Sequence, residues 1–261
     1  MNRPISFDDG AAYEEYMGKW SHLAGSAFLD WLTPAPGLRW LDVGCGNGAF
    51  TETIVQRCAP ATVTGVDPSA AQLEFARTRP ALRNAELLQG DAMALPLRDQ
   101  SVDITVMPLV IFFVPEPARG VAEMARVLRP GGIATAYSWD MEGGGFPYAL
   151  LQAELLELGA PAKVEPRRDA SRLDVSHELW KDAGFDAIQT QQFTVQRTYR
   201  DLDHYWNVIQ GGPSVRHALA SLNPTATARL KERLRIRLPQ DDSGCIVCTA
   251  RANAIQGRVR S

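Results

Sequence analysis

The apolar positions of this chain change their period along its length. Over residues 11–32, Tyr13, Tyr16, Met17, Trp20, Leu23, Phe28 and Leu29 recur mostly at three- and four-residue steps, the spacing of an amphipathic helix. Pro34-Ala-Pro-Gly37 breaks that pattern, and the short apolar run over 38–43 ends in glycines, as a buried parallel strand does. Strand and helix periods then alternate. Helices are predicted over 49–57, from the cap Ser69 to about residue 77, and over 116–128. Strands are predicted over 62–66, 85–89, 101–107 and, behind the turn Arg129-Pro-Gly-Gly132, over 133–139. This βαβ succession predicts an α/β protein with a parallel sheet and helices on both faces.

The second half is less regular. Helices are expected at 147–158 and 177–183, and strands at 186–195 and 244–251. The stretch 199–238 is too long for a hairpin loop and carries helical pattern at 202–209 and 226–234. It reads as a largely helical insert over the ligand edge of the sheet. With the N-terminal helix it makes a cap from residues 11–33 and 199–238. Residues 256–261 read as a frayed basic end.

Length and composition narrow the setting. The 261 residues, 45% of them hydrophobic, suit one large core, so a single domain across the chain is expected. Cys45, Cys58, Cys245 and Cys248 are too few for a disulfide scaffold, and residues 1–10 hold no apolar signal core. A reduced cytoplasmic setting is the expectation. The apolar run 104–114 is about half of the roughly 20 residues a membrane helix needs, and Pro108 interrupts it. A net charge of −3 gives no general attraction to nucleic acid or to an anionic membrane, which leaves small molecules as partners. No feature fixes an oligomeric state.

The candidate chemistry starts at Leu41-Asp-Val-Gly-Cys-Gly-Asn-Gly48, where a strand runs into three alternating glycines and then a helix. In an open α/β sheet such a turn forms the floor of the ligand crevice, and its glycines let backbone approach the ligand. Cys45 is expected to contribute its backbone, since no neighbouring His or Lys would depress its pKa. The spacing also satisfies the dinucleotide pattern G-x-G-x-x-G/A, with Asp67 about 20 residues further on. Asp42 separates the two readings by charge. A diphosphate on this turn would meet repulsion of roughly a few kcal/mol at 4 to 6 Å. S-adenosyl-L-methionine carries an ammonium and a sulfonium against one carboxylate, and an acidic floor attracts it. Asp67, ending the second strand, can accept from both ribose hydroxyls, at roughly 1.5 to 3 kcal/mol for each charge-assisted bond. Pro68 can pack on the adenine, and Asp91 with Ala92 follows the third strand near the adenine amino group.

The ordered set formed by that loop, Gly65-Val-Asp-Pro-Ser69, Gly90-Asp-Ala92, Leu95-Pro96, Val102-Asp103 and Glu123 to Gly132 resembles class I S-adenosylmethionine-dependent methyltransferases, particularly the small bacterial enzymes of methyltransferase type 11 acting on small molecules. The likeness covers about residues 13–139. It implies a Rossmann-like seven-stranded sheet, mostly parallel, whose last strand is antiparallel, here 244–251. It also implies S-adenosyl-L-methionine as cofactor, bound by Asp42, Gly44, Cys45, Gly46, Asp67, Pro68, Asp91, Ala92, Met107 and Trp20. Asn47 stands where the family usually has Thr, and Met107-Pro108 stands where polar residues are often found.

Methyl transfer from a sulfonium needs no leaving-group acid and no covalent intermediate, so positioning can supply roughly 7 to 11 kcal/mol. A base is needed only for a protonated nucleophile, and the candidates are His204 and His22. Tyr13, Tyr16, Trp20 and Trp139 can wall the pocket and attract the sulfonium through their ring faces. No Asn-Pro-Pro-Tyr or Pro-Cys follows the fourth strand, which disfavours amino methylation of bases or glutamine and cytosine C5 methylation. Cys245-Ile-Val-Cys248 lacks a second pair for a metal, and Arg229, Arg233, Arg235 and Arg237 alternate with apolar residues as on a solvated face. The sequence therefore leaves three readings: methyl transfer to O, N or C of a small molecule, a nicotinamide-dependent oxidoreductase, or a silent binding protein with the same fold.

Overall fold

The computed structural model describes residues 12, 14–161 and 165–260. Seven strands, β1 (Arg39–Val43), β2 (Thr62–Asp67), β3 (Glu86–Gln89), β4 (Val102–Pro108), β5 (Leu128–Trp139), β6 (Asp186–Tyr199) and β7 (Ile246–Arg258), form one sheet in the order β3-β2-β1-β4-β5-β7-β6. The first five are parallel, and β7 runs antiparallel between β5 and β6. The strands β1 and β4 are buried along nearly their whole length, which explains why they read as continuous apolar runs. Strand β6 sits on the edge and exposes most of its first half, Gln189, Gln191 and Gln192 included, a polar surface that discourages pairing with another chain.

Nine α-helices lie among the described residues: α1 (Lys19–Leu32), α2 (Ala49–Cys58), α3 (Ala70–Arg77), α4 (Pro117–Val127), α5 (Ala149–Glu157), α6 (Leu173–Asp182), α7 (Leu202–Ile209), α8 (Pro213–Ala220) and α9 (Pro224–Arg237). Their starts follow local chemistry. Ser69, Asp201 and Asn223 accept from the third backbone N–H beyond them, and Pro117, Pro213 and Pro224 stand in the first turn, where a missing N–H is harmless. Helix α1 packs on α2 and on β6, while α4 packs on α6. Trp20, Phe28, Trp40, Ile54, Met124 and Trp180 belong to one continuous core that joins the sheet to its helices. No described helix is long and apolar enough to cross a membrane.

Four expectations are corrected. The basic end is not frayed: β7 continues to Arg258, because Ala252 to Arg258 find partners on β5, from Trp139 down to Ile133. The turn Arg129-Pro-Gly-Gly132 lies inside β5 as a bulge, since Val102 pairs with Leu128 while Ile104 pairs with Ile133. Strand β6 runs on past the expected end at 195 to Tyr199, which pairs with Ile246 at the first residue of the insert. Helix α8 has no separate counterpart in the sequence reading, which gave this stretch only as part of a largely helical insert.

Candidate active site

The turn after β1 is built by backbone conformation. Gly44 and Gly46 both have positive φ, +77° and +52°, which L side chains adopt only under strain. A Cβ on Gly44 would meet the Val110 side chain at 2.6 Å, whereas nothing lies within 4 Å of a Cβ on Gly46. One glycine is therefore demanded by packing, and the other borders open space. The backbone N–H groups of Gly44 and Cys45 both donate to Val66 O, at 2.7 and 3.0 Å. Gly46 N–H donates instead to Asp67 Oδ2 at 2.8 Å, while Ser69 N–H donates to Oδ1 at 2.9 Å. Asp67 is thus oriented at both oxygens, and burial raises its pKa.

This turn floors a cavity of about 760 Å³. Its first wall consists of strand ends and their exits: Gly44 to Asn47, Asp67, Ser69 and Pro108 to Val110. Its second wall comes from the cap, namely a π-helical turn at Glu14–Gly18, helix α5, Glu165, Arg168 and helix α8. The π-helical turn is fastened from behind. Tyr148 Oη donates to Tyr16 O at 2.6 Å, and Arg197 Nη1 donates to the carbonyls of Glu15 and Tyr16, at 2.6 and 3.2 Å. Tyr16 also stacks on Tyr148 with ring centroids 4.5 Å apart.

Of the residues singled out in the sequence, Gly44, Cys45, Gly46, Asp67, Tyr16 and Trp139 line the cavity together. Burial pushes the Cys45 thiol up, assisted by the charges of Asp42 and Asp67, so this side chain is no nucleophile. The others stand elsewhere. Asp42 is fully buried beneath the turn and does not line the cavity. Thr51 Oγ1 donates to its Oδ2 at 2.7 Å, its Oδ1 has no protein partner, and burial raises its pKa to about 7. The charge argument made for Asp42 is therefore carried at the cavity surface by Asp67.

Pro68, Asp91, Ala92 and Met107 also lie outside the lining. Asp91 is exposed, and its Oδ1 accepts from Met93 N–H at 2.8 Å. Met107 is fully buried in β4, while its neighbour Pro108 reaches the cavity. Trp20 is core: its Nε1 donates to Tyr199 Oη at 3.1 Å, and its ring meets Trp139 edge-on. Neither His22 nor His204 lines the cavity. His204 Nδ1 accepts from Arg200 N–H at 3.1 Å, and burial lowers its pKa. Tyr13 lies outside the described residues.

Tyr137, Phe50, Ser21 and Gln72 line the cavity without having been singled out. The Tyr137 hydroxyl has no protein partner although the residue is buried, and the ring is held between Phe28 and Phe50, at 4.7 and 5.4 Å. No periodicity marks such a residue, because near the carboxyl end of a buried strand a cavity-facing and a core-facing aromatic read alike. The basic positions late in the chain are neutralised: Arg233 and Arg237 pair with Glu154 on α5, and Arg235 pairs with Glu232. Among the described residues no cluster of His, Cys, Asp or Glu can hold a metal ion.

A family model described as a methyltransferase domain matches residues 41–136, the segment that builds the glycine turn and Asp67. Over a longer span, 196 residues, the chain is 32% identical to the malonyl-[acyl-carrier protein] O-methyltransferase of Methylococcus capsulatus, covering 75% of this chain and 67% of that protein. The chain belongs to the S-adenosylmethionine-dependent methyltransferase family. That membership replaces the nicotinamide reading of the glycine spacing. The 2-methyl-6-phytyl-1,4-hydroquinone methyltransferase 2 of Oryza sativa subsp. japonica is 44% identical over 97 residues, 37% of this chain and 28% of that protein. The chain spans 28 to 41% of the length of the first curated relatives it matches. Phosphoethanolamine N-methyltransferase 2 of Haemonchus contortus, solved with S-adenosyl-L-methionine, shares the fold at a TM-score of 0.56 and 16% identity, over 99% of this chain and 61% of that one.

Proposed function

We propose that this methyltransferase transfers a methyl group from S-adenosyl-L-methionine to a small-molecule acceptor, and that the described residues work as one catalytic unit. The observation that carries the reading is the joined pair of Gly46 and Asp67 at the cavity floor, with open space over the glycine and a carboxylate fixed at both oxygens. Asp67 retains acceptor capacity for two ribose hydroxyls beyond the two backbone donors. The Tyr137 hydroxyl, which has no protein partner although the residue is buried and lines the cavity, fits a ligand that brings a polar group there. Gly44, Cys45 and Gly46 would border the cofactor with backbone, and Asp67 would hold its ribose.

When bound, the cofactor supplies an activated methyl on a sulfonium that leaves as a neutral thioether. The protein's share is orientation and exclusion of water: the cap closes the cavity opposite the strand ends, and the rings of Tyr16, Phe50, Tyr137 and Trp139 line it. No His or Lys is among the described lining residues, so the reading needs no histidine base. Calorimetry with S-adenosylhomocysteine tests it. Micromolar binding that is lost in Asp67→Ala supports the assignment, and absence of binding by the intact protein sinks it.

A further inference from the structure

The two walls of the cavity differ in chemistry. The strand-end wall offers backbone groups and Asp67 beside Pro108, Leu109 and Val110, whereas the cap wall presents Met141, Phe146, Leu155, Pro213, Val215 and Ala218, with Phe112 beside them. Each charge that the described residues bring to the cavity from the cap side already has a partner. Arg168 Nη1 donates to Glu165 Oε2 at 2.9 Å and Nη2 donates to Met141 O at 2.8 Å, while Glu14 lies 3.7 Å from an Arg79 nitrogen. A charged acceptor would lose hydration there and find no free counter-charge among the described residues in return. Among the neutral polar groups on this wall are Gln152 and Ser214.

The rim points the same way. Among the described residues four large apolar side chains are exposed, and two of them, Phe113 at 52% and Leu156 at 54%, line this one cavity. Exposed apolar surface concentrated at a cavity mouth marks a binding surface, where single scattered residues do not.

We infer that the methyl acceptor is an uncharged, largely apolar molecule, whose body fills the cap half of the cavity and whose apolar end lies across Phe113 and Leu156. The inference rests on the methyl-transfer reading and narrows it to one class of substrate. It excludes carboxylates, amines carrying a proton and phosphorylated metabolites as the main acceptors. Hydrophobic contact supplies the affinity, and one neutral polar group of the acceptor meets Gln152 or Ser214.

The test uses protein saturated with S-adenosylhomocysteine, titrated by calorimetry with 4-ethyl-, 4-butyl- and 4-hexylphenol. Affinity is expected to rise roughly fourfold per added methylene, the ratio that corresponds to about 0.8 kcal/mol per buried CH₂. At equal chain length, 4-hexylbenzoate and 4-hexylbenzylammonium are expected to bind at least tenfold more weakly than 4-hexylphenol. Leu156→Asp, on an exposed side chain that folding does not need, should weaken 4-hexylphenol about tenfold, with S-adenosylhomocysteine binding as the control for folding. Affinities that ignore chain length, or a benzoate that binds as tightly as the phenol, overturn the inference. If S-adenosylhomocysteine itself does not bind, the methyl-transfer reading falls first and this inference with it. If it binds and the phenol series is flat, only the acceptor class is wrong.

Discussion

The backbone N–H of Gly46 donates to Asp67 Oδ2 at 2.8 Å, which ties the turn after β1 to the end of the neighbouring strand β2. One carboxylate therefore shapes the turn and faces the cavity. Asp67→Ala is expected to lower the affinity for S-adenosylhomocysteine by at least about 100-fold, since two charge-assisted bonds are worth roughly 1.5 to 3 kcal/mol each. Asp67→Asn, which keeps acceptor capacity at one atom, should fall between. Isothermal titration of the three proteins checks the order, and equal affinities would remove Asp67 from the site.

Asp42 makes the affinity depend on pH. Its carboxyl titrates near pH 7, because burial favours the neutral form and Asp67 adds a like charge. Below that pH Asp42 is protonated and contributes no field; above it, the floor gains a negative charge. Binding of the cationic donor should strengthen by roughly tenfold between pH 6 and pH 8, the change a 1.4 kcal/mol interaction produces. Asp42→Asn should flatten the profile. Stability runs the opposite way, because a folded pKa above the unfolded value means that ionisation between about pH 4 and 7 costs the native state. The melting temperature of Asp42→Asn relative to the parent should therefore be higher at pH 8 than at pH 5.

The two glycines of the turn separate packing from binding. Gly44→Ala drives a Cβ into the Val110 side chain and should lower Tm by several degrees. Gly46→Ala puts a methyl into open space and costs the fold only the strain of a positive φ, roughly 1 kcal/mol. It should instead weaken S-adenosylhomocysteine at least tenfold. Parallel thermal melts and titrations distinguish the two, and a Gly46→Ala protein with normal affinity would show that no ligand approaches there.

Neither histidine candidate belongs to the cavity. His204→Ala removes an acceptor from the Arg200 N–H outside the site, and His22→Ala changes a side chain of α1 that does not line it. Both variants should retain S-adenosylhomocysteine affinity within about twofold and methyl incorporation into a metabolite extract. A loss of incorporation with binding intact would restore a base to the mechanism.

Arg126 tests the opposite side of the fold. It donates to the carbonyls of Leu95 and Leu97 and pairs with Asp99 and Glu123, while Glu123 accepts from Leu95 N–H at 2.8 Å. The segment between β3 and β4 is thereby fastened to α4. Arg126→Ala leaves polar groups without partners and is expected to cost about 2 kcal/mol, read from urea unfolding, with ligand affinity unchanged.

The sheet through β5 and the glycine turn were legible because their signals are local. A buried parallel strand is apolar at every position, and the turn between Val43 and Ala49 advertises its backbone through its glycines. Asp67 was legible because it stands in a series of carboxylates at successive strand ends. Asp91 illustrates the limit: it follows β3 as expected, yet its own backbone claims it through Met93 N–H. Trp20 and Tyr137 exchange roles for a similar reason. An aromatic on an amphipathic helix reads the same whether it meets a core or a cavity, and only the packing of α1 on the sheet decides. The cap wall was illegible residue by residue, since Phe146, Leu155 and Val215 come from three segments that tertiary structure alone brings together.

Strand β7 lies between β5 and β6, yet it is the last strand to be made. Until it arrives, two ribbons of backbone amides and carbonyls stay open, one on each side of the gap it will fill. Without β7 the sheet is incomplete and its halves cannot join, so intermediates that lack this strand expose both edges. Deleting the final fifteen residues would trap the protein there, and aggregation, more than loss of any single contact, would be the symptom.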